Sequence, residues 1–98
     1  MNIQAMMKQA QAIQKEMMKA KEEIDNKTYT GTSSFVEVKV KGSKEVESII
    51  INKNNLDKED IEMLQDIIVV ALNDAMKQID KETEQKLGKY TQGLPGLF

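Results

Sequence analysis

The chain has 98 residues, with 14 basic and 16 acidic side chains and a formal net charge of −2. That length suits one domain with a modest core, and the only aromatic residues available to fill it are Tyr29, Phe35, Tyr90 and Phe98. Histidine and cysteine are both absent, which removes the commonest general base, the strongest side-chain nucleophile, disulfides and Cys- or His-based metal sites.

The opening Met-Asn-Ile-Gln has neither the basic nor the apolar region of a signal peptide. From Ile3 to about Asp25 the apolar residues Ile3, Met6, Ala10, Ile13, Met17, Ala20 and Ile24 recur at alternating steps of three and four. That is the seam of a helix packed along its length. Such a helix is about 33 Å long, wider than a small domain, so part of it is expected to project or to cross a partner. Met6 and Met17 lie on the seam and are expected in the core. Met7 and Met18 lie roughly 100° off it, at a subunit contact or in a groove for another protein.

Lys8, Lys15 and Lys19 fall within about 40° of one another, nearly opposite the seam, with Gln11 beside them. A row of this kind suits a phosphate backbone. It equally suits an ordinary solvated helix face, and periodicity does not decide between the two.

A β-rich middle follows. Thr28 to Thr32 reads as a short first strand, and Phe35 to Lys41 alternates Val36, Val38 and Val40 with Glu37, Lys39 and Lys41. That alternation predicts a half-buried antiparallel strand. Gly42-Ser43 marks a hairpin turn, and Glu45 to Asn52 returns. Its Ile49-Ile50-Ile51 run predicts cover on both faces.

Asp57 with Asp60 three residues on resembles a helix N-cap with an acid in the first turn. The second helix is expected from about Lys58 to Leu87, with its seam at Ile61, Leu64, Ile68, Leu72, Ala75 and Ile79. Around Ile67 to Leu72 it is apolar on nearly every side, which points to burial by a second subunit. This run is far short of the roughly 20 residues that span a bilayer, so a soluble, cytoplasmic protein is expected. Ile67, Val69 and Val70, with Met7 and Met18, are the expected dimer contacts. Beyond Ile79 the seam fades into Thr83 and Lys86, so the helix end is expected to leave the core. Residues 88–98, punctuated by Gly and Pro, read as a flexible tail.

Little here suggests chemistry. Asp57, Glu59, Asp60 and Glu62 lack the glycine and spacing of a calcium loop and are explained by the helix dipole. The glycines at 31, 42, 88, 93 and 96 form no phosphate loop, and the serines have no base to activate them. No enzymatic activity, cofactor, metal or small-molecule substrate is expected.

Four segments together resemble the YbaB/EbfC family of bacterial nucleoid-associated proteins. They are Met6 to Met17, Gly31 to Val40, Ala71 to Ala75 and the terminal Gly93-Leu-Pro-Gly. The likeness runs over nearly the whole chain, residues 1–98, as one YbaB/EbfC-like domain. It implies an α+β fold: an α-β-β-β-α subunit with a small antiparallel sheet, strands within about 28–52, and two long terminal helices. It also implies a homodimer whose terminal helices project as arms and contact DNA. Carried over to this sequence, Lys8 and Lys15 become DNA-contact candidates. Lys19, Lys21, Lys77, Lys81, Lys86 and Lys89 join them on charge alone. The sequence departs from the family at Asn52-Lys53, where Asp-Pro is frequent, and at Ser33-Ser-Phe, where glycines are.

Arginine, the usual bidentate reader of guanine, is absent. The expectation is a homodimer at the nucleoid that binds double-stranded DNA largely through phosphates and affects nucleoid organisation and gene expression. The alternative is a structural or adaptor dimer whose helices dock another protein. Met7, Met18 and the negative total charge favour it.

Overall fold

The structure is a computed structural model and describes residues 2–91. Helix α1 (Ile3–Asn26) is followed by strands β1 (Thr28–Ser33), β2 (Val36–Lys41) and β3 (Val46–Ile51), then helix α2 (Lys58–Thr91). The strands form one antiparallel sheet in the order β1-β2-β3. This is the expected α+β arrangement.

Both helices begin with side-chain caps. The Asn2 carboxamide oxygen accepts from the backbone N–H groups of Gln4 at 3.1 Å and Ala5 at 3.3 Å, which satisfies two of the donors a helix start leaves orphaned. At the start of α2 the Asp60 N–H donates to the Asp57 carboxylate at 2.9 Å, and the Asp57 N–H donates to that of Asp60 at 3.2 Å. This is the reciprocal exchange of a capping box, with an acid at each end. Lys53 closes the group with an ion pair to Asp60 at 2.6 Å, and it holds the Asp60 carboxyl below its usual range.

The sheet has two unlike faces. Val36, Val38 and Val40 share one face with Tyr29 and Gly31 of β1, their register partners or near neighbours, and all five are buried. Helix α2 lies over β1 and β2 on this side and runs antiparallel to β1. Successive contacts fix that direction. Thr32 N–H donates to Asp74 at 3.0 Å, Gln78 donates to the Thr30 carbonyl at 2.8 Å, and Tyr29 donates its hydroxyl hydrogen to Glu82. As β1 and the chain before it are followed backwards, α2 is followed forwards.

That alignment continues into α1. Lys21 and Ile24 line one cleft with Ile79, Thr83 and Leu87, and Met17, Ile24, Ile79 and Leu87 belong to one buried cluster against which Ala20 and Tyr90 pack. The outcome is an elongated molecule, 71 × 20 × 15 Å.

Four sequence expectations change. Helix α2 continues through Gly88 to Thr91, and its last turns stay in the core, with Leu87 only 2% exposed. The reason is that α2 passes from the sheet onto α1, so its buried line shifts rather than fades. Met6 is 53% exposed, not core, because α2 does not cover the first half of α1. Every residue from Ile3 to Glu16 is exposed, which leaves this stretch as a free arm. Ile49 and Ile51 lie on the valine face of the sheet but beyond the reach of α2, and they remain 46% and 39% exposed. The tail expectation for residues 92–98 lies outside the described residues.

Candidate nucleic-acid interface

Lys8 and Lys15 on the arm, and Lys19 just beyond it, are exposed and make no ion pair among the described residues. Helical geometry puts them on one side at roughly 100° per residue, with the exposed Ile3, Met6 and Ile13 on the other. Along the axis Lys15 stands about 10 Å from Lys8 and about 6 Å from Lys19. With no ion-pair partner among the described residues, the row offers three lysines to a polyanion.

The other candidate lysines are not equivalent to these. Lys21 pairs with Asp25 at 3.8 Å and lies on a neighbouring side of α1 with Met18 and Glu22. Lys86 is held by Glu82 at 3.1 Å, and Lys89 lies over the Tyr90 ring at 5.0 Å from its centre. Lys77 and Lys81 are exposed and adjacent on α2, whereas Lys86 points about 140° away from Lys81. The lysines of α2 therefore form no single row.

An acidic band explains more of α2. Glu59, Glu62, Asp66, Asp80 and Glu84 are all exposed and fall within about 60° around the helix. Among the described residues only Asp80 of this band is in an ion pair, with Lys44 at 3.2 Å. Lys77 stands inside this band, so a nucleic acid approaching it meets a repulsive surface. Helix α1 holds four lysines and four acids and α2 five lysines and eight acids, so the basic row is a local feature of one side of α1 and sits with a negative total.

Glu82 is the most connected side chain of the molecule's middle. It accepts the Tyr29 hydroxyl and pairs with Lys27 at 3.0 Å and Lys86 at 3.1 Å. The Tyr29 hydrogen bond and then the Lys27 contact hold its carboxyl down to about 2. Burial and the neighbouring carboxylate push the Tyr29 phenol upward. The group fastens β1 to α2, and it withdraws Lys86 from any ligand.

The expected dimer contacts divide likewise. Ile67 is half-buried against the core, while Val69 and Val70 are both 54% exposed. Met7 and Met18, 57% and 61% exposed, lie on the arm side of the molecule. Sequence reading expected the Ile49-Ile50-Ile51 run to be covered but did not count Val46, Ile49 and Ile51 among the dimer contacts; they carry the apolar face of β2 onward onto β3. Their signal was the alternation shared with Val36, Val38 and Val40. It also passed over Lys39, exposed on the uncovered side of the sheet.

Among the described residues there is no group of three or more carboxylates placed to hold a metal ion. No described helix is long and apolar enough to cross a membrane.

Comparison with known proteins adds independent findings. Residues 1–94 match the model of a family described as the YbaB/EbfC DNA-binding family. A nucleoid-associated protein of Lactococcus lactis subsp. cremoris is 52% identical over 97 residues, covering 97% of this chain and 98% of the relative. One from Enterococcus faecalis is 46% identical over 98 residues, covering 98% and 94%. The crystal structure of an uncharacterized Helicobacter pylori protein superposes with a TM-score of 0.69 at 24% identity, covering 95% of this chain and 99% of that one. This last likeness bears on the fold alone.

Proposed function

The chain belongs to the YbaB/EbfC DNA-binding family, and from that premise we propose that it acts at the nucleoid as a homodimer that binds double-stranded DNA through phosphates. The observation that carries this reading is the row Lys8, Lys15 and Lys19 along α1, exposed and without an ion pair among the described residues. Phosphate contacts position a protein without reading sequence. With no arginine in the chain, base-edge recognition of guanine is disfavoured. Its effects on nucleoid organisation and gene expression then follow from occupancy of many sites. The family is one of DNA binders and not an enzyme class.

The homodimer reading is supported by apolar surface that continues the core. Val46, Ile49 and Ile51 on β3, with Ile61, Val69 and Val70 on α2, are between 39% and 55% exposed in the single chain. A second copy that lays its α2 beside β3 removes this surface from water, at a gain of roughly 25 cal/mol per Å². Met7 and Met18, on α1, belong less to this contact than the valines do.

Fluorescence anisotropy on two unrelated labelled duplexes, across a salt series, tests the proposal. Three lysines per subunit, six per dimer, give a log–log salt slope of up to about −5. A slope of that order, alike for both duplexes, supports phosphate binding through the arm. Absence of binding at low salt defeats it and leaves the adaptor dimer, for which the exposed Met7 and Met18 are the specific observation.

A further inference from the structure

The first half of α1 stands clear of the rest of the described molecule. Every residue from Ile3 to Glu16 is exposed. This stretch is about 21 Å long and, with its side chains, roughly 10–12 Å across. The major groove of B-DNA is about 12 Å wide and admits one α-helix. Helix α2 is not free in this way, since Leu64, Ile68, Ile79 and Leu87 along it pack on the core.

Beside the lysine row the arm repeats itself. Gln4-Ala-Met-Met-Lys8 returns seven residues on as Gln11-Ala-Ile-Gln-Lys15. In a helix this places Gln4, Met7, Gln11 and Gln14 within about 80° of one another. They form an uncharged strip between the lysines and the apolar line of Ile3, Met6 and Ile13. The side chains of Gln4 and Gln11 are exposed and have no hydrogen-bond partner among the described residues. Gln78 on α2, by contrast, commits its amide to the Thr30 carbonyl at 2.8 Å. No acid precedes Glu16 in the chain. Glu22 stands on the same line of the helix as Gln4 and sets the inner limit of any contact with a polyanion.

We infer, on the footing of the DNA binding proposed for the chain, that Gln4 and Gln11 read adenine from the major groove, so that A·T pairs are preferred over G·C pairs. The lysine row lies on the phosphates of one groove wall. Each glutamine, turned about 40° from the lysine of its own repeat, faces the base edges. A glutamine carboxamide donates to adenine N7 and accepts from the adenine N6 amino group. Guanine offers two acceptors in the same place, N7 and O6, and leaves the carboxamide oxygen without a donor. Seven residues advance about 10.5 Å along the arm, against about 3.4 Å per base pair, so the two carboxamides meet pairs two or three apart. Phosphate contacts carry no sequence information, so the preference changes affinity and leaves the salt slope as it is.

Two labelled duplexes of one A·T-containing sequence provide the test. One holds adenine and the other 7-deazaadenine, which pairs as adenine does but lacks N7. By anisotropy at fixed salt, the full chain is expected to bind the adenine duplex about fivefold or more tightly. The double variant Gln4→Ala, Gln11→Ala is expected to bind the two alike, with the salt slope of the parent. Alanine favours a helix more than glutamine does, so this variant keeps its arm wound and loses only the carboxamides. Equal affinity of the parent for the two duplexes overturns the inference and leaves phosphate binding standing. A preference that the double variant retains in full also overturns it, since other groups then read N7. Absence of binding to both duplexes at low salt removes the DNA reading and the inference together.

Discussion

Gly31 in β1 lies directly against the backbone of Ala71 in α2: a Cβ built on the glycine meets the Ala71 carbonyl oxygen at 2.0 Å and the Ala75 N–H nitrogen at 2.7 Å. Ala71 and Ala75 are fully buried at this crossing. Helix and strand approach so closely because none of the three residues has a side chain beyond Cβ. This crossing sets the distance between α2 and the sheet, and hence the angle at which α2 continues towards α1.

Replacing Gly31 by alanine is therefore expected to cost about 3 kcal/mol or more, since backbone rather than a movable side chain must yield. Gly88→Ala is expected to do the reverse. It lies within α2, the added Cβ meets nothing nearer than the Glu84 Cγ at 4.0 Å, and alanine favours a helix by up to about 1 kcal/mol over glycine. Urea denaturation of both variants checks the pair. A stable Gly31→Ala protein would refute the close approach.

Acid and alkaline stability should trace to the Tyr29–Glu82 pair. Glu82 is depressed in the folded chain from 4.5 to about 2, so its contribution is full above pH 4.5 and drains away as pH falls towards 2. Tyr29 is raised above its ordinary 10.0, so its contribution is full below pH 10 and is lost at higher pH. Glu82→Gln is expected to flatten the acid limb, and Tyr29→Phe the alkaline limb, each at a cost of about 1–2 kcal/mol at neutral pH. Unfolding midpoints from pH 2 to 11 decide the matter, and unchanged limbs in the variants would show that other groups carry them.

Val69→Asp or Ile49→Lys should halve the solution mass in light scattering while leaving the circular dichroism of the chain intact. Both residues are about half exposed in the single chain, so a charge there costs the isolated subunit little. Across an apolar dimer contact it costs several kcal/mol through an unpaired buried ion. A parent protein that is already monomeric removes the dimer from the proposed function.

Reversing Lys8, Lys15 and Lys19 to glutamate is expected to lower DNA affinity about 100-fold or more at low salt and to reduce the salt slope. Lys86→Gln, by contrast, should change affinity less than about threefold, because Glu82 already engages that ammonium. Titrations at fixed salt compare them. Equal losses from the two variants would mean that the arm row has no special part in binding.

The sequence made some of this architecture plain and hid the rest for identifiable reasons. Strand β2 was legible because Val36, Val38 and Val40 alternate with charged residues, and the start of α2 because Asp57 and Asp60 have capping spacing. The far end of α2 was hidden. Its buried residues Ala71, Ala75, Ile79 and Leu87, with half-buried Thr83 among them, follow steps of four. Each step turns the line by about 40°, whereas an alternating three–four seam keeps one heading. The lysine row of the arm was visible from periodicity alone. That Lys86 is engaged was readable from Glu82 four residues before it, but the arrival of Lys27 and Tyr29 at the same carboxylate joins positions more than fifty residues apart. No local pattern encodes such a contact.

The free arm has a thermal consequence. From Ile3 to Glu16 it is held, among the described residues, by its own hydrogen bonds and the Asn2 cap, and an isolated helix of that length is marginal in water. Its order is lent by the packed turns from Met17 to Ile24 and declines towards the N-terminus. Lys8 keeps register with Lys15 and Lys19 only while the intervening turns are wound. Warming therefore unravels the spacing of the three charges before it disturbs the sheet, and the enthalpy of any complex that needs this spacing includes the winding of the arm. Whatever covers the apolar side of α1 lengthens the life of the charged side.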